Sequence, residues 1–186
     1  MEMKNRMGTF LCAVGMFLFV FVAPLLAAEK VFQEGGYGYV MNYPQDWEYT
    51  KRSGHMIIFT KKGGVDANVP VVGVQNLLST KVKGGKHEDV NAVLADFENQ
   101  LRVAKYARVY PAEPFAYGKK GLKLAGKQFV ADYVFRDRNY KQLVVVIPRK
   151  GGEIFHAWVY SAPEDLYEKY LPSAKMMLDS LTMTEQ

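Results

Sequence analysis

Cysteine is almost missing from this chain of 186 residues: the only one is Cys12. It stands behind Thr9-Phe10-Leu11, the wrong context for lipid attachment. From Glu29 onward there is no thiol for a disulfide, a thiolate metal site or a cysteine nucleophile. Histidine is nearly as scarce, with His55, His87 and His156 scattered and unpaired. A structural zinc site takes about four ligands, usually with local spacing, and no such spacing occurs. Five serines follow residue 28, and none lies in the Gly-x-Ser-x-Gly elbow that presents a nucleophile. Gly35-Gly36-Tyr37-Gly38 lacks the third glycine and the helix of a dinucleotide loop. Gly84-Gly85-Lys86-His87 precedes a helix pattern, where an anion is favoured, but lacks the spacing and hydroxyl of a phosphate loop. A loop leading into a helix cap is the expected role. No catalytic residue, cofactor or metal is predicted.

What is present begins with a leader. Arg6 is the last charge before Glu29, and between them runs MGTFLCAVGMFLFVFVAPLLAA. Positive charge, then an apolar run, then small residues is the pattern of an export signal, with cleavage expected after Ala27 or Ala28. The alternative is an uncleaved anchor over residues 7–28, long enough to span a bilayer. Either way residues 29–186 are expected outside the cytoplasm, in the periplasm. A cysteine-free domain is compatible with that compartment, where disulfides are permitted but not required.

Residues 29–186 read as one domain, without repeats or linkers. Alternation predicts strands over residues 37–43, 47–51, 55–61, 68–79, 107–117 (weakly), 122–136, 141–148 and 153–161. Arg149-Lys150-Gly151-Gly152 is a hairpin signal between the last two. Glu88–Lys105 switches to a helical period, with Val90, Val93, Leu94, Phe97, Leu101 and Ala104 on one face. Ser161-Ala162-Pro163-Glu164 has the form of a capping box opening a last helix, in which Leu171, Ala174, Leu178 and Leu181 form the buried stripe. Pro172 is expected to kink or split that helix. Segregated strands and helices favour an α+β fold with an antiparallel sheet.

Gly38-Tyr39 to Tyr43-Pro44 with Trp47 beyond, the Asn68-Val69 strand, Leu124-Ala125-Gly126 and the closing Met177-Leu178-Asp179-Ser180-Leu181 occur in an order that resembles the PsbP/Mog-type superfamily. This superfamily comprises luminal extrinsic proteins of photosystem II, the eukaryotic Ran-binding Mog protein and many exported bacterial proteins. The resemblance spans nearly all of residues 31–183. It implies an antiparallel sheet sandwiched between helices and no enzymatic activity. No ligand or contact residue transfers position by position, and no photosynthetic role follows from a fold alone.

Basic residues gather at predicted turns. Lys119, Lys120, Arg136 and Arg138 are the candidate docking residues, with His156 and Trp158 as a second, aromatic candidate on one strand face. Solvated hairpin tips and a packed sheet face are the plainer roles. A strand of about fifteen residues at about 3.3 Å each would hold Lys119-Lys120 far from Arg136 and Arg138, with Arg149-Lys150 returning to the former end. The expected partner is another protein or an anionic membrane surface. Nucleic acid is excluded by compartment and near-balanced charge, and a monomer is expected. The competing hypothesis is an enzyme or metal carrier whose polar groups converge only in space, for instance Asp132, His156 and a further carboxylate. A histidine within about 5 Å of an Asp or Glu inside a pocket would favour it.

Overall fold

The structure is a computed structural model, and residues 28–63, 68–119 and 121–184 are described. The expected leader, apart from its last residue, and Lys120 lie outside them. The elements in chain order are β1 (Glu29–Glu34), β2 (Tyr39–Pro44), β3 (Trp47–Ser53), β4 (Met56–Lys61), β5 (Val71–Leu78), α1 (Val90–Arg102), β6 (Lys105–Val109), β7 (Glu113–Lys119), β8 (Leu122–Phe135), β9 (Arg138–Pro148), β10 (Ile154–Pro163), α2 (Glu164–Ser180) and β11 (Thr182–Met183).

Eight strands form one sheet in the order β3-β4-β5-β10-β9-β8-β6, with β7 also pairing with β8; β1, β2 and β11 form a small sheet. The pairings of these strands are antiparallel. Strand alternation in the large sheet builds two cores. On β10, Phe155 and Ala157 face α1 and meet its Val93, Leu94, Phe97 and Leu101. Trp158 and Tyr160 face the other way, into a larger core with the small sheet's Tyr39 and Met41 and α2's Ala174, Met177 and Leu178. The fold is α+β with an antiparallel sheet, as the strand and helix patterning predicts, and the sheet lies between helices, as the family resemblance implies.

Local chemistry sets several boundaries differently from the sequence pattern. Asp89, not Glu88, starts α1: its carboxylate accepts the Ala92 N–H at 2.8 Å. The predicted strand 107–117 is two strands interrupted at Tyr110–Ala112 around Pro111, which has no N–H to give a ladder. The hairpin between β8 and β9 turns at Arg136 and Asp137, both at positive φ (50° and 59°), so β9 starts at Arg138 rather than at residue 141. Such a tight turn usually carries Asn-Gly, and Arg-Asp gives no warning of it. The capping box does not form. Strand β10 keeps its ladder with β9 through Pro163, and Pro163 caps α2 without a side-chain bond. The Ser161 hydroxyl pairs instead with the Tyr133 hydroxyl at 2.9 Å. Helix α2 runs unbroken through Pro172.

Candidate functional site: a groove beside helix α1

Helix α1 covers only part of its sheet face. It packs chiefly on β6, β8, β9 and β10, leaving Met56 and Ile58 of β4 and Val71 and Gln75 of β5 half-buried beside it. The result is two adjoining pockets that share Gln75, Phe97 and Gln100. One, of about 250 Å³, has an apolar floor of Met56, Ile58, Val71 and Val159, with Gln142 and Ser161 beneath the C-terminal end of α1. The other, of about 380 Å³, runs toward the N-terminal end of α1 and is lined by His55, Leu77, Lys86, His87 and Asp96 among others. Gln142 accepts from the Tyr133 hydroxyl at 3.4 Å. The Gln75 and Gln100 amides make no hydrogen bond within the described residues and remain available to an occupant.

The loop after β5 closes one end of the groove. Lys86 N–H donates to Leu78 O, and Thr80 N–H donates to His87 O at 2.9 Å, folding residues 79–87 back onto the sheet. Gly85 is required here, since a Cβ would stand 1.8 Å from Ser79 O. This is the loop-and-cap role expected of Gly84-Gly85. It delivers His87 to α1, where the ring Nε2–H donates to Asp96 Oδ2 at 2.8 Å. The His87 side chain is 10% exposed against 58% for Asp96, and Nδ1 is buried without a partner among the described residues.

A histidine–carboxylate pair inside a pocket is therefore present, but it is not the pair the sequence suggested. Asp132 accepts from the Tyr110 hydroxyl at 2.8 Å. His156 lies on the opposite face of the sheet, in the other core. Its Nδ1 meets Asn76 Oδ1 at 2.8 Å, and its ring stands edge-on to Tyr39 at 5.4 Å. Burial, reinforced by the Arg149 guanidinium, pushes the His156 pKa down to about 4. Trp158 is likewise fully buried. Neither His156 nor Trp158 reaches the surface, so the aromatic face is packed core, with no face to offer a partner.

The basic candidates fall at two ends. The β8–β9 register carries Lys127 opposite Val146 and Phe135 opposite Arg138. Lys119 and Arg149 are thereby at one end and Arg136 and Arg138 at the other, about 40 Å apart at 3.3 Å per residue. Arg138 is engaged, gripping Asp165 with bonds of 2.7 and 2.9 Å and donating to Asn68 Oδ1. Arg149 is engaged too, donating to Tyr37 O and Thr184 O and tying the β1–β2 turn to the chain's C-terminal segment. Arg136 lies over the Phe135 ring at 5.3 Å.

Gln75, Gln100, Met56 and Ile58 were not singled out in the sequence. The available signal was a glutamine directly after the apolar run Val71-Val72-Gly73-Val74 of β5, and another beside Leu101 on the helix. Among the described residues no group of three or more His, Cys, Asp or Glu is placed to hold a metal, and no helix is long and apolar enough to cross a membrane.

A large antiparallel sheet with α1 on one face, and α2 and a small sheet on the other, is the PsbP/Mog-like fold. The chain is similar to cyanobacterial PsbP (CyanoP) from Synechocystis sp. PCC 6803, with a TM-score of 0.59 and 15% identity over 85% of this chain and 94% of that one. It is also similar to LpqN of Mycobacterium tuberculosis, a protein involved in cell envelope biogenesis (TM-score 0.55, 18% identity, covering 85% of this chain and 91% of LpqN). The Ran-binding protein Mog1p of Saccharomyces cerevisiae gives 0.54 at 9% identity, covering 86% and 97%. No family model and no curated protein matches the chain. Likeness at this level of identity establishes the fold and carries no activity with it.

Proposed function

We propose that this PsbP-like chain is an exported, noncatalytic binding or assembly factor, and that the groove beside α1 holds an extended segment of an envelope or membrane-associated partner. The observation that carries this reading is the lining of the groove: an apolar floor with two unpartnered amides, Gln75 and Gln100, spaced along it. Side-chain amides offer a donor and an acceptor each, matching the backbone of an extended chain, while the floor takes its apolar side chains. The leader pattern supports export. The His87–Asp96 pair favours the competing enzymatic reading, but the neighbouring Ser79 does not serve it as a nucleophile: it is fully buried and its hydroxyl accepts the Lys81 N–H at 3.2 Å. We assign the pair to holding the loop on α1.

Selection of displayed peptides against the protein, followed by NMR titration, tests this. Enriched peptides are expected to shift the resonances of Met56, Ile58, Gln75 and Gln100, and Gln100→Arg with Ile58→Asp should abolish binding. Shifts confined to another surface, or undiminished binding by that double variant, would remove the groove from the account.

A further inference from the structure

The turn end of β8 and β9 carries a surface that the groove does not use. Val103 and Tyr106 are 87% and 86% exposed and Phe135 is 47% exposed, the three largest exposures of large apolar side chains among the described residues outside the edge residue Val31. They come from three places: the C-cap of α1, the start of β6 and the last residue of β8. The pairing of Lys105 with Val134 brings them to one end of the molecule. Tyr106 faces outward because the β6 register shifts between Lys105 and Arg108, and a bulge with Tyr106 at φ 53° re-aims the side chain. Arg102, Lys105 and Arg136 flank these groups. Their local counter-charges are Glu98, 3.8 Å from Arg102, and Asp137 in the turn.

We propose that this end of the domain rests on an anionic lipid surface, with Val103, Tyr106 and Phe135 entering the headgroup layer and Arg102, Lys105 and Arg136 meeting phosphates. Tyrosine and phenylalanine at a polar–apolar boundary, ringed by cations, have the chemistry of an interfacial contact. The groove's two pockets lie on the β4–β5 side of α1, so an occupant of the groove and a membrane beneath this end do not compete for the same residues. Apolar points offered together with cations fit a fluid anionic interface better than a shaped acidic protein.

The test uses the full chain with Cys12→Ser, carrying a polarity-sensitive dye on Tyr106→Cys or, at the opposite end, on Lys123→Cys. Because both probes sit in the same chain, any membrane attachment through the leader acts equally on them. On vesicles of phosphatidylcholine with phosphatidylglycerol, the Tyr106 probe should shift to the blue and lose that shift at high salt, while the Lys123 probe stays unchanged. Replacing Arg102, Lys105 and Arg136 by Glu should weaken vesicle binding, read from the Tyr106 probe, by more than about fivefold per site. The proposal is overturned if the two probes respond alike, if neither responds, or if pure phosphatidylcholine gives the same shift. A dye response that survives charge reversal would equally overturn it. Loss of peptide binding in the groove variants would leave this outcome untouched, so the two readings fail separately.

Discussion

Acidification from pH 7 to pH 4 is expected to remove about 3 kcal/mol of stability that a His156→Phe variant does not lose. The cause is the core around the ring. His156 is fully buried between Asn76 and Tyr39, with Arg149 as the charged neighbour. An imidazolium there would lose its hydration and face a permanent cation, which holds the pKa down at about 4 against 6.5 for a free imidazole. The unfolded chain therefore binds a proton first as pH falls. Stability is fully present above about pH 6.5, declines as pH falls toward 4, and the loss from this residue levels off as pH passes through 4. A difference of about 2.5 units at about 1.36 kcal/mol each gives the stated size. Urea unfolding of both proteins across this range measures it, and parallel pH curves for the two would show that the ring is charged or hydrated in the fold.

Phe97→Ala should cost about 3–5 kcal/mol and Leu94→Ala about 2–5 kcal/mol. Both side chains are buried between α1 and the sheet with Phe129, Val144 and Val146. Truncation there leaves a void, because strand backbones on one side and the helix on the other restrict collapse. Phe97 also forms the shared wall of both pockets, so its loss should widen the groove as well as weaken the fold. Val103→Ala, at the exposed end of the same helix, should stay within about 0.5 kcal/mol. Equilibrium unfolding that gave values that small for Phe97 and Leu94 would mean the face is wet and the helix register wrong.

The packing of α1 was legible in the sequence because Val93, Leu94, Phe97 and Leu101 recur at the helical period, and that period survives folding. The two-sided character of β10 was legible for the same reason: alternation assigns His156, Trp158 and Tyr160 to one face. What alternation cannot assign is which face a helix covers. His156 and Trp158 thus read first as a packed face, with an open patch as the sharper alternative, and the small sheet and α2 closing over them decide for packing. The capping box at Ser161 failed because ladder bonds to β9 held the strand past the proposed cap. The groove was illegible for a deeper reason. It exists where α1 stops short of β4 and β5, and its lining joins Met56, Gln75 and Gln100 from three elements whose register is set only by tertiary pairing. The His87–Asp96 pair, nine residues apart, depends on Gly85 allowing the loop to lie against Ser79.

A photo-crosslinking residue at Gln100, compared with the same residue at Lys123, in cells that export the chain, tests the central claim most directly. The account predicts discrete adducts from Gln100 to an envelope or membrane-associated protein, carried on processed or membrane-attached chain, that disappear with Ile58→Asp and are absent from Lys123. Adducts of equal pattern at both positions, or adducts from Gln100 that persist with Ile58→Asp, would contradict it.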